Sequence, residues 1–115
     1  MGESVDDRAR RVAVNEAAFR EVNERIKALM KSFESRSDRL DLICECGDGG
    51  CTSRIELDPE EYERLRSDSL TFAVAKGHEV PGVEEIVERR TGYDVVRKVA
   101  PVAEEIAEES DPREG

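Results

Sequence analysis

The feature that most constrains this chain is the run Cys44-Glu45-Cys46-Gly47-Asp48-Gly49-Gly50-Cys51, which holds every cysteine of the 115-residue sequence. A strand sends residues i and i+2 to one side, so Cys44 and Cys46 share a face, and a Gly-rich turn returns Cys51 toward them. Glycines at 47, 49 and 50 are expected to take positive φ, curling the turn and aiming backbone amides at the sulfurs. Three convergent thiolates point to a tetrahedral metal site, with zinc as its natural occupant. His78 is the chain's single histidine and the candidate fourth ligand, giving one Zn2+ per chain. A closed Cys3His set leaves no position for water or substrate. Were His78 not a ligand, Asp48, Glu45 or a water would fill the position, and Glu45 would be the residue to consider as a base. An iron–sulfur cluster on the same ligands is an alternative, although the spacing matches neither the ferredoxin patterns nor a two-CxxC zinc ribbon.

The rest of the composition makes such a staple useful. Only 37% of residues are hydrophobic and 4% aromatic, while 40% are charged, so the core must be thin. At this length the apolar area available for burial barely offsets chain entropy, and a metal commonly supplies the difference. An odd number of cysteines fits reduced thiolates better than a disulfide framework. No apolar run is long enough to span a membrane and no secretory leader is evident, so the expected location is the cytoplasm. A net charge of −10 repels phosphate backbones and anionic membranes, which argues against nucleic acid. The basic clusters Arg8, Arg10 and Arg11, Arg89 and Arg90, and Arg97 and Lys98 are interleaved with acids and read as solvated surface.

Hydrophobic spacing predicts an α+β fold. Residues 1–7 read as a flexible start in which Ser4, Asp6 or Asp7 caps a helix. From about residue 8 to about 34, Val12, Asn15, Phe19, Val22, Ile26, Leu29 and Phe33 alternate at spacings of three and four, the stripe of a long helix. That stripe packs on the sheet or, in part, pairs with a second copy or another protein, with Asn15 setting register. Ser35, Ser37 and Asp38 end the helix. Leu40, Leu42 and Cys44 alternate as one strand, and residues 52–57 return antiparallel as its partner. Asp58-Pro59-Glu60-Glu61-Tyr62 carries a capping box with proline at N1 and a staple of Leu57 on Tyr62, so a short helix follows. Leu70 to Ala75 predicts a third strand ending at the Lys76-Gly77 turn that presents His78. A hairpin of about 84–89 with 93–98 is favoured over a helix from Val83. Residues 101–115, with six carboxylates, are expected to form a weak helical turn and then an acidic, disordered tail. The organisation is thus a single zinc-binding domain over 8–100: a long N-terminal helix packed on a small antiparallel sheet, with a zinc-knuckle hairpin and one short helix.

The stretch from Val14 to Ile26, the CxCG turn with Cys51, and Val74-Ala75-Lys76-Gly77-His78-Glu79 resemble a group of short, uncharacterised proteins of high-GC bacteria. The similarity covers most of residues 10–98. It implies that helix, cysteines and histidine form one unit, and it supplies no activity. Lys76 stands where that pattern leads one to expect proline. The favoured function is therefore a small intracellular zinc protein acting as a protein-interaction module, a monomer or a homodimer joined through the N-terminal helix. A thiol redox sensor built on the same cysteines is the alternative, and a nucleic-acid-binding zinc finger the third. No nucleophile–base pair suggests an enzyme.

Overall fold

The computed structural model describes residues 4–32 and 39–113. Helix α1 spans Val5–Ser32; it starts earlier than the sequence suggests because the Ser4 hydroxyl accepts the Asp7 amide at 3.0 Å, an N-cap. The residues expected to end it, and Phe33 of the stripe, lie outside the described residues. Strand β1 (Leu40–Ile43) pairs antiparallel with β2 (Arg54–Leu57), Leu40 opposite Leu57. Helix α2 (Pro59–Arg66) follows, and then β3 (Thr71–Val74), β4 (Glu84–Arg89) and β5 (Asp94–Lys98) form a second sheet in the order β3-β5-β4. The predicted hairpin is therefore formed, with a bulge between Ile86 and Glu88. The architecture is α+β with two small antiparallel sheets where one was expected. They meet where the Glu45 amide donates to the Ala73 carbonyl at 2.9 Å. No helix among the described residues is long and apolar enough to cross a membrane.

Where a weak helical turn and then a disordered tail were expected, Pro101–Glu109 form a full helix, α3. Counting carboxylates hid Ala103 and Ala107, one turn apart and both buried. Ala103 packs with Ala9, Val12 and Ala13 of α1, where small side chains let two helices approach closely. Arg20 of α1 finishes the join, donating to the Ala107 carbonyl at 2.8 Å and to the Ser69 carbonyl at 2.7 Å. A cation there also complements the negative end of the α3 dipole.

The α1 stripe is only partly borne out. Val12 is buried, Asn15, Phe19 and Ile26 are half-buried, and Val22 (42%) and Leu29 (58%) are exposed. The predicted stripe lies to one side of the face that meets the core, so its later positions turn toward solvent. The row that stays inward is Ala9, Val12, Ala13, Glu16, Arg20 and Asn23, all buried. Its polar members work in the interior. Glu16, Glu84 and Lys98 form a buried cluster in which both carboxylates contact the Lys98 ammonium. Burial, with the neighbouring Glu84 carboxyl, pushes the Glu16 carboxyl up to about 10. One carboxyl of the pair thus keeps its proton beside a single ammonium.

The predicted α2 start is observed in full. Glu61 donates its amide to the Asp58 side chain at 2.8 Å, while its own carboxylate accepts the Asp58 amide at 3.1 Å. The other Glu61 oxygen accepts from Tyr93 Oη at 2.7 Å and from Arg90 at 2.6 Å, tying α2 to the β4–β5 turn. Burial works to raise its pKa, but the Tyr93 hydroxyl, the Asp58 amide and Arg90 outweigh it and hold the carboxyl at about 2. Because the folded value lies below the ordinary 4.5, the carboxylate stabilises the fold fully above that pH. Its contribution fades as pH falls toward 2. Glu61→Gln should therefore lower stability by about 1–3 kcal/mol near neutral pH, with parent and variant converging between pH 4.5 and 2 in denaturant titrations. A gap that stays constant across that window would refute the role given to the carboxylate.

Candidate metal centre

Alternation along the chain after β1 decides what faces what. Cys44 and Cys46 project to one side and Glu45 to the other. Cys51 returns through a turn closed by its amide on the Asp48 carbonyl at 3.0 Å and by the Gly50 amide on Asp48 Oδ1 at 2.9 Å. Asp48 is thus occupied in shaping the turn. His78 arrives from the end of β3: its amide donates to the Ala75 carbonyl at 3.0 Å, and Gly77 between them takes φ 84°. That left-handed position suits glycine, and proline would suit the site that Lys76 fills in such a turn. Lys76 is anchored differently, by an ion pair to the buried Asp94 at 2.5 Å.

The ligand atoms of Cys44, Cys46, Cys51 and His78 all lie within 4.8 Å of one another and could hold a metal ion. The imidazole presents Nδ1, 3.6 Å from both Cys44 Sγ and Cys51 Sγ. All four sequence candidates are therefore brought together, across a separation of 27 residues between Cys51 and His78. The Ala75 amide donates to Cys44 Sγ at 3.1 Å, a hydrogen bond that stabilises thiolate character from outside the ligand set. Cys44 and Cys46 are buried among Leu70, Phe72, Val74 and Val96. Burial pushes both thiols up, Cys44 most. At Cys51, which is partly exposed, burial also raises the pKa. Hydrogen bonds from the Ser53 amide and hydroxyl, Cys46 and His78 overcome it, and the thiol settles at about 7. Of the three thiols, Cys51 is the one closest to ionising at neutral pH.

Glu45 corrects the reading of it as a possible ligand or base. It is fully buried on the opposite side of the backbone from the sulfurs. Its carboxylate accepts from Arg66 at 2.6 Å, from Asn23 Nδ2 at 2.7 Å and from the Ala73 amide at 3.1 Å. Sequence reasoning missed Asn23 and Arg66, and it gave Asn15 another task. Asn23 also makes a two-way bridge to the backbone of Ile43, with both contacts at 2.9 Å. Asn15 donates to the Gly47 carbonyl at 2.9 Å, so it fastens the knuckle and does not sit in an open helical seam. The signal in sequence was the polar residues Glu16, Arg20 and Asn23 recurring at helical spacing on α1, which periodicity of apolar residues cannot register.

The glycine expectation also changes. Positive φ among the described glycines occurs at 77, 82 and 92, none of them in the knuckle. Gly47 is required for space, because a Cβ there would lie 2.4 Å from Val12 Cγ1. Helix α1 rests directly on the turn. Gly47→Ala should destabilise the fold by about 1–3 kcal/mol, and adding Val12→Ala should recover part of that loss by opening room. Additive losses in the double variant, measured by chemical denaturation, would remove the close approach as the cause. Comparison with protein-family models, with curated proteins and with solved structures finds no match for this chain, so its function has to be argued from the site itself.

Proposed function

We propose that this chain is a small zinc-binding protein in which a Cys3His site closes the fold and the folded surface serves as a protein-interaction module. The observation that carries the metal assignment is the spacing of the ligand atoms. Zinc bonds of about 2.3 Å to sulfur and 2.0–2.1 Å to nitrogen, set tetrahedrally, put nitrogen and sulfur about 3.6 Å apart. His78 Nδ1 stands 3.6 Å from two sulfurs. A multi-iron cluster would spread its ligands farther than one ion does, and these four fall within 4.8 Å. Three free thiols beside one another suit a reducing compartment such as the cytoplasm.

A structural role follows from closure. Four protein ligands leave no coordination position for substrate, and Glu45 is committed to Arg66 and Asn23, so we assign the site no catalytic step. The net charge of −10 disfavours nucleic acid and favours protein partners. The partial exposure of Cys51 and its pKa of about 7 favour the redox sensor as the second reading. In that case mild peroxide would oxidise Cys51 and a neighbouring thiolate to a disulfide, reducing peroxide to water and releasing the metal.

Elemental analysis with native mass spectrometry should find one zinc per chain; no metal, or iron with acid-labile sulfide, would overturn the assignment. Binding near neutral pH should release between about two and three protons, because Cys44 and Cys46 enter protonated and Cys51 half so. Calorimetry in buffers of different ionisation enthalpy reads that number. Cys44→Ser, Cys46→Ser and Cys51→Ser should each lose the metal and much of the cooperative melt, and His78→Ala should retain it more weakly. Zinc held through mild peroxide supports the scaffold, whereas reversible loss supports the sensor.

A further inference from the structure

The outward face of α1 carries an ordered row of exposed residues. Opposite the inward row lie Asp7, Arg11, Val14, Ala18, Glu21 and Arg25, separated by four, three, four, three and four residues, and every one is exposed. That spacing keeps all six on one face of the helix, four of them charged and two small and apolar at the middle. Val14 is 53% exposed. The row is also nearly palindromic in chemistry. Laid antiparallel on a second copy about a two-fold axis near residue 16, Asp7 meets Arg25 of the other copy. Arg11 then meets Glu21, and Val14 meets Ala18. Every contact recurs by symmetry, giving four opposite-charge pairs around a small apolar centre. An isologous interface needs this self-complementarity. The parallel alternative would set Arg11 against Arg11 and Asp7 against Asp7, which like-charge repulsion disfavours.

We propose that the partner of this face is a second copy of the chain, bound through an antiparallel α1–α1 contact. The proposal rests on the interaction half of the reading above and is independent of which metal the site holds. Ala18 at the crossing lets the two backbones approach, and the contact runs about 27 Å from residue 7 to residue 25 at 1.5 Å per residue. Within one chain Arg25 reaches Glu21 at 3.0 Å, both well exposed. A surface pair of that kind contributes little, so both side chains can turn to the other copy. An interface of one helix on one helix is smaller than a standard protein–protein interface and places the dimer among weak, reversible assemblies.

Sedimentation equilibrium of the metal-loaded full chain, from about 1 μM to about 1 mM, tests this directly. The parent should pass from monomer to dimer within that range, less readily as salt is raised. Glu21→Arg sets two arginines against each other at both ends of the contact and should weaken the dimer by about tenfold or more. The swap Arg11→Glu with Glu21→Arg restores opposite charges only in the antiparallel arrangement and should recover the parent constant. A parent monomeric throughout, or a swap that fails to recover pairing, overturns the proposal and leaves the face to a different protein. Zinc content and thermal melts recorded on each variant keep a failure of the metal assignment, or of folding, separate from a failure of pairing.

Discussion

The structure hangs on one buried carboxylate. Glu45 sits between two cysteine ligands in sequence and is 0% exposed, where an ionised group without partners would cost several kcal/mol. It is tolerated because three elements arrive with donors: Arg66 from α2, Asn23 from α1 and the Ala73 amide from β3. Removing any of them leaves charge or polarity stranded in the interior. The same requirement explains Arg66, which is 4% exposed and stacks beside Tyr62 with its guanidinium 5.2 Å from the ring centroid. A thin core that could not hold these elements by apolar contact alone holds them by converging hydrogen bonds on one group.

The elements whose cause is local were legible in sequence, and those whose cause is tertiary were not. The capping box at Asp58 and Glu61, the β4–β5 hairpin around Gly92 and the alternation of Leu40, Leu42 and Cys44 depend on neighbours a few residues away, and each appears where spacing puts it. The four metal candidates were legible because residue chemistry is so specific: few arrangements other than a ligand set bring three thiols and a lone histidine together. The inward face of α1 was misread because it carries Glu16, Arg20 and Asn23, whose partners are 20 or more residues away. Helix α3 was read as no more than a weak turn for the mirror reason. Its solvated side is rich in carboxylates, and its packed side is alanine, which hydropathy weighs lightly.

Charge is distributed with the same economy on both sides of α1. Inside, Arg20 and Lys98 lie over the Phe72 ring at 4.6 and 4.7 Å from its centroid. The aromatic face and the carboxylates share the work of offsetting cation desolvation. Outside, apolar residues and alternating charges occupy the face that stays exposed in the monomer. Helix α1 thus buries Glu16, Arg20 and Asn23 beside Ala9, Val12 and Ala13 and leaves Val14 and Val22 among the charges outside, a departure from the usual amphipathic order. The inner side of that departure follows from the polar network the buried residues satisfy.

The metal centre and the Glu45 network then become two consequences of one pleat. An ion held by Cys44 and Cys46 would fix the backbone between them in the orientation that sends Glu45 inward to Arg66 and Asn23. Conversely, with Glu45 anchored and Asn15 holding the Gly47 carbonyl, the sulfurs are presented on the side where His78 arrives. Burial favours the protonated thiols of Cys44 and Cys46, while the turn between them and Cys51 is shaped by the hydrogen bonds to Asp48. The candidate metal site and the Glu45 network are therefore coupled through the backbone of three residues, Cys44 to Cys46.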